Sequence, residues 1–166
     1  MNTNKTMSTT ASLRALLWVL ALLAVIAMAL MPLSAASAKG PVAQQVSAGG
    51  NDPFASFSLT AKIFADGSVK GQYTDRFPQI GGGFHAVINC VSIVGNDAWV
   101  SGVITSGTAN GQDLTGLPVA TRVRDNGTSK NPPDQLGFSF IGDATPCTDH
   151  VDYPMFDAPH GQVVIK

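Results

Sequence analysis

The chain has 166 residues, with 10 Lys and Arg against 11 acidic residues and a formal charge of −1. That balance argues against a dedicated nucleic-acid binder or a polybasic membrane-surface protein, both of which need a basic excess. Every acidic residue is Asp, so chemistry built on Glu, such as an HExxH metalloprotease, is excluded.

Residues 1–38 have the three parts of a secretory signal. A polar start carries Lys5 and Arg14, an uncharged run extends from Ala15 to Met31, and Pro32 precedes the small stretch Ala35-Ala36-Ser37-Ala38. Ala36-x-Ala38 places cleavage before Lys39, which predicts a signal helix that export removes. The alternative is an uncleaved anchor, since the run is close to the ~17-residue minimum for spanning a bilayer. Cleavage leaves 8 basic residues against 11 Asp, and all 17 Gly. About 130 residues suffice to bury a single core.

Lys39 to Phe54 is small and polar and reads as a flexible lead-in, with residues 55–166 as one folded domain. Phe57, Leu59, Ala61 and Ile63 alternate with Ser58, Thr60 and Lys62, the period of a half-buried strand. Asp66-Gly67 is a hairpin turn, and Val69, Gly71 and Tyr73 form the returning strand. Phe84 to Val94 is a longer apolar run rich in β-branched residues, read as a buried strand. Gly95-Asn96 turns it into Ala98–Thr105. A loop over Gly107–Gly116 leads to a fifth strand, in which Val119, Thr121 and Val123 oppose Ala120, Arg122 and Arg124. Leu136, Phe138 and Phe140 make a sixth strand, and Gln162–Lys166 closes the chain after a long loop, Gly142–Gly161. About seven short strands with regular turn signals predict an all-β fold, an antiparallel sandwich or barrel. Its inward residues should include Leu59, Ile63, Val123, Phe138 and Phe140, with Arg122 and Arg124 facing water.

Cys90 and Cys147 are the two cysteines, and in an exported chain an even count points to a disulfide. It would tie the third strand to the long loop and constrain the unfolded chain by about 4 kcal/mol.

Several turn segments occur together: Asp66-Gly67-Ser68-Val69-Lys70-Gly71-Gln72, then Phe84-His85-Ala86, Cys90, Gly95-Asn96-Asp97-Ala98-Trp99-Val100-Ser101-Gly102, Val123-Arg124-Asp125-Asn126-Gly127 and Pro133-Asp134. In this order they resemble a broad group of uncharacterised exported bacterial β-domains with the pattern DGSxxGQ, FHA, C, GNxAxxSG, VxDNG, PD and a closing GxVxI strand. The resemblance covers most of residues 55–166. It implies a secreted, periplasmic or cell-surface module and brings no activity and no catalytic residue. The chain departs from the pattern at Thr128-Ser129-Lys130, where small or acidic residues are commoner.

Asp125, Asn126 and Asp134 flank one loop and are the candidate Ca²⁺ ligands, although they lack D-x-D-x-D spacing and turn chemistry also explains them. Asp149, His150, Asp152, Asp157 and His160 crowd the long loop without any zinc-ligand spacing, so no metal site or cofactor is assigned there. His85 lacks a nucleophile elbow around any Ser, and Asp75 with Asp97 or Asp113 offers only a generic carboxylate pair. Asn126-Gly127-Thr128 matches a glycosylation sequon that carries no weight in a bacterial chain. Tyr73 and Trp99 are the candidate ligand-binding aromatics, with core packing as their ordinary role. The leading expectation is an exported non-catalytic β-module with a structural, surface or adhesive role and no nucleic-acid partner. Its membrane contact would come only through an uncleaved signal. The alternatives are a small-ligand or carbohydrate-binding β domain, and a hydrolase using Asp or His chemistry.

Overall fold

The computed structural model describes residues 40–51, 56–128, 132–158 and 160–166. Residues 1–38, expected from sequence to be an export signal, lie outside the described residues. Among them no helix is long and apolar enough to cross a membrane.

Among the described residues one antiparallel sheet of eleven strands makes up the fold. In chain order they are β1 (Val42–Asn51), β2 (Ser56–Phe64), β3 (Val69–Arg76), β4 (Gly82–Val94), β5 (Asp97–Ala109), β6 (Gln112–Asp113), β7 (Pro118–Arg124), β8 (Gln135–Gly137), β9 (Phe140–Ile141), β10 (Met155–Asp157) and β11 (Gly161–Ile165). The spatial order is β10-β8-β7-β5-β4-β3-β2-β1-β11, with β6 on β5 and β9 on β7. The sheet curls into a half-barrel around one core, so the sandwich alternative is set aside.

The core alternates as the strand period requires. Val46 and Ala48, Leu59 and Ala61, Val100 and Ile104, Val119 and Val123, and Val163 all turn inward. In β4 the inward positions change parity from Phe84, Ala86 and Ile88 to Val91 and Ile93. A register shift between Ile88 and Cys90 causes the change, which is why that run shows no clean alternation in sequence.

Four expectations need correction. The segment read as a flexible lead-in contains β1, paired on both sides with β2 and β11. Its small residues are there for close approach: a Cβ on Gly50 would stand 2.9 Å from the Gly161 Cα. The structure has more than the expected seven or so strands because the expected loops contain β1, β6 and β10 and the sixth strand is split into β8 and β9. Phe138 does not face inward. β8 ends at Gly137, which leaves Phe138 60% exposed and places Phe140, opposite Ala120, on the outer face. Arg122 does not face water either; it is buried although its neighbour Val123 is buried as well. Both faces of β7 are covered, the inner by the core and the outer by the chain over residues 142–154.

That cover is a second small core of Trp99, Ala120, Cys147 and Tyr153, packed by Cys90, Phe140 and Val151. Cys90 and Cys147 are joined by a disulfide, which anchors the short 3₁₀ turn Cys147–Asp149 to β4. Trp99 Nε1 donates to the Val151 carbonyl at 2.8 Å, and the Phe140 and Tyr153 rings stack at 4.3 Å.

The two margins of the sheet meet through carboxylates. Gln45 and Lys166 exchange backbone hydrogen bonds, so by antiparallel alternation Val163 and Ile165 turn their N–H groups away from β1. Asp134 Oδ2 accepts from Val163 N at 2.6 Å, and Asp125 Oδ2 accepts from Ile165 N at 2.9 Å. The other oxygens hold their own loop: Asp134 Oδ1 accepts from Asn126 N, and Asp125 Oδ1 from Gly127 N.

Two predictions follow from these ties. Asp134→Ala strands the buried Val163 N–H and should cost about 2–3 kcal/mol in urea unfolding, with Asp134→Asn losing less. An unchanged midpoint would mean that β1 alone holds β11. Replacing both cysteines by Ser should cost about 2–4 kcal/mol while the β-sheet circular dichroism persists. Loss of that spectrum would give the bridge a role in forming the sheet itself.

Candidate functional site

A cavity of about 460 Å³ lies between β3 and β8. Phe57 on β2, Tyr73 and Asp75 on β3, and Phe77, Gln79 and Ile80 after β3 form one wall. Leu136, Gly137, Phe138 and Ser139 from β8 and its exit, with Phe156 on β10, form the other. β3 and β8 are separated by three strands in the sheet order, so the cavity exists only because the sheet curls.

Aromatic rings line it. Phe138 and Phe156 lie 5.1 Å apart between centroids, and Tyr73 meets Phe84 edge-on at 5.1 Å. At the mouth, Phe138 and Ile80 are 60% and 49% exposed, an apolar rim open to solvent. Exposed rings beside a concavity mark binding surfaces.

At the base, three oxygens form a triangle. Ser139 Oγ donates to Asp75 Oδ2 at 2.5 Å. The Tyr73 hydroxyl lies 2.5 Å from Ser139 Oγ and 3.3 Å from Asp75 Oδ2. Asp75 is 6% exposed, and the parity that turns Tyr73 inward turns Asp75 inward too. Burial, and then the charge of Asp75, push the Tyr73 hydroxyl far above its ordinary pKa. The phenol therefore stays protonated and serves as a hydrogen-bond donor.

Of the two aromatics expected to bind ligand, Tyr73 lies in this cavity. Trp99 lies under the 142–154 cover, with the Arg122 guanidinium 4.8 Å from its ring centroid. Asp75, Ser139, Phe138 and Phe156 were not foreseen as ligand-binding residues. Tyr73-x-Asp75 did carry a signal, a polar residue at period two on an inward face. Ser139 carried none, because its partners are more than sixty residues away.

The remaining candidates divide among separate networks. Asp125 and Asp134 accept backbone N–H groups, and Asn126 Nδ2 donates to the Pro133 carbonyl, so the proposed Ca²⁺ ligands act as strand and turn ties. His150 stands 2.7 Å from Ser92 Oγ and 4.6 Å from the Trp99 ring, Asp152 pairs with Arg122, and Asp157 accepts from Gln135. Among the described residues no three His, Cys or Asp side chains gather as a metal site would require. His85 Nδ1 lies 2.8 Å from Thr74 Oγ1, and Asp113 caps a turn through Thr115. Asp97 is held by Arg122 and Arg124 at 2.9 and 3.0 Å.

No protein-family model matches the chain, and neither does any curated protein or solved structure.

Burial alone would raise the Asp97 pKa, but the hydrogen bonds and charges of Arg124 and Arg122 outweigh it and hold the carboxyl below its ordinary 3.8. A depressed folded-state pKa contributes stability that is complete above the ordinary, unfolded-state value and is lost as pH falls from there through the folded-state one. Unfolding followed against pH should steepen below pH 3.8, and Asp97→Asn should flatten part of that acid limb. An identical acid limb in the variant would remove Asp97 from the acid response.

Proposed function

We propose that this is an exported, non-catalytic β-module that binds a small, largely apolar molecule in the cavity between β3 and β8. The observation that carries this reading is an aromatic-lined concavity of about 460 Å³ with a few convergent polar groups at its base. Small-molecule sites have that size and composition. Phe57, Phe77, Phe138 and Phe156 supply the apolar walls, while Tyr73, Asp75 and Ser139 orient one end of the ligand. A sugar would need polar partners along its whole length, and these walls do not offer them. Export is supported by the signal-like segment before Lys39, by the Cys90–Cys147 bridge, which suits an oxidising compartment, and by the resemblance of the turns to exported bacterial β-domains.

A neutral apolar fluorophore such as N-phenyl-1-naphthylamine should brighten in a saturable, single-site titration. Phe138→Ala should weaken it about tenfold while costing only about 1 kcal/mol of stability, because the ring is mostly exposed and chiefly loses its contact with Phe156. Absence of a saturable signal, or an unchanged affinity in the variant, would overturn the reading.

A further inference from the structure

The chain places its rings selectively. The largest fully buried side chains of the main core are all Leu, Ile or Val, among them Leu59, Ile88 and Ile104. The phenylalanines gather elsewhere. Of the eight in the sequence, Phe57, Phe77, Phe138 and Phe156 line the cavity, and Phe84 packs behind them. With Tyr73, five of the eleven lining residues are aromatic, against two with branched aliphatic side chains, Ile80 and Leu136. Rings that served only as packing would fill the space between β3 and β8. These surround about 460 Å³ of it.

Most of the rings are set before any ligand arrives. Phe84, itself buried, meets Tyr73 edge-on at 5.1 Å and Phe77 at 5.9 Å. Phe57 and Phe156 pack against the main core. Phe138 is mostly exposed and leans on Phe156. Walls fixed in this way favour a ligand that is also rigid, because binding then orders little on either side. Rings stand on both walls, so a flat aromatic ligand finds partners for its faces and its edge. Each offset-stacked or edge-to-face pair is worth roughly two- to tenfold in affinity beyond the area it buries. A saturated ring system is puckered and has no quadrupole, so it gains from burial alone.

Building on the ligand-binding reading above, we propose that the cavity selects planar aromatic molecules over aliphatic ones of the same skeleton, with the ring system held between Phe57 and Phe77 on one wall and Phe138 and Phe156 on the other.

The test is competition against bound N-phenyl-1-naphthylamine with 2-naphthalenemethanol and its fully saturated counterpart, decahydro-2-naphthalenemethanol. The two share a carbon skeleton and a primary alcohol. The saturated one leaves water more readily, so hydrophobicity alone would rank it first. The aromatic alcohol should instead displace the fluorophore at a concentration about fivefold lower or better. Phe138→Leu keeps an apolar side chain at a mostly exposed position, and it should bring the two alcohols to within about twofold of each other. Equal displacement on the wild-type protein, or the saturated alcohol ahead, would overturn the aromatic preference and leave the ligand-binding reading standing. An undiminished preference in Phe138→Leu would overturn the placement against Phe138. If the fluorophore never binds, the broader reading fails and this one falls with it.

Discussion

Two aspartates do the work of a missing strand pair. A sheet that curls but does not close leaves backbone donors along its last strand, and unpaired edges invite pairing with other chains. Here the outward N–H groups of Val163 and Ile165 are met by Asp134 and Asp125, which flank the β7–β8 connection. A carboxylate reaches across where a strand would have to lie alongside, so the margins are tied without becoming a continuous ladder. The core depends on this, since Val163 is one of its fully buried side chains. The cavity depends on it as well, because β8 and β10 stay opposite β2 and β3 only while the curl is held.

The second dependency runs along the outer face. β7 is flanked by apolar packing on both sides, which is unusual for a strand carrying two arginines. Arg122 is accommodated because each of its neighbours answers a different part of the guanidinium: Asp97 takes Nε, Asp152 takes Nη1, and Cζ lies over the Trp99 ring. Of its two ion pairs, the one to the exposed Asp152 reaches the cover, which the disulfide and the Trp99–Val151 hydrogen bond hold down. Buried ion pairs add little net stability over an apolar replacement, but breaking one partner is costly.

The all-β character was legible because turn chemistry and period two agree across Phe57–Ile63, Val69–Tyr73 and Val119–Val123. The disulfide was legible from cysteine count and compartment. β1 was hidden because Gly49, Gly50 and Ser47 have poor strand propensity, and what makes them strand is contact with β2 and β11. Arg122 was misplaced because a period-two pattern describes a strand with one wet face, and nothing in residues 142–154 announces that they fold back over it. The carboxylate ties looked like turn residues or metal ligands for a similar reason: their acceptor oxygens are visible in the sequence, whereas the donors lie 29 and 40 positions away. Of the cavity, Tyr73 alone was legible as a ligand-binding candidate; its meeting with Ser139 across the cavity needed the curl.

Because β1 pairs with β11, the first and last strands of the folded segment are mutual neighbours. This sets an order in time. While the chain emerges from its N-terminus, β1 can find β2 at once, but its other edge stays bare until the final residues arrive. Contacts between distant positions form late because the intervening chain must first lose its freedom. The half-assembled domain therefore carries an open β edge throughout its emergence, when an unrelated strand could occupy it. Ala48, Gly49 and Gly50 guard that edge with neither charge nor proline, so its protection comes from the pairing with β11 itself.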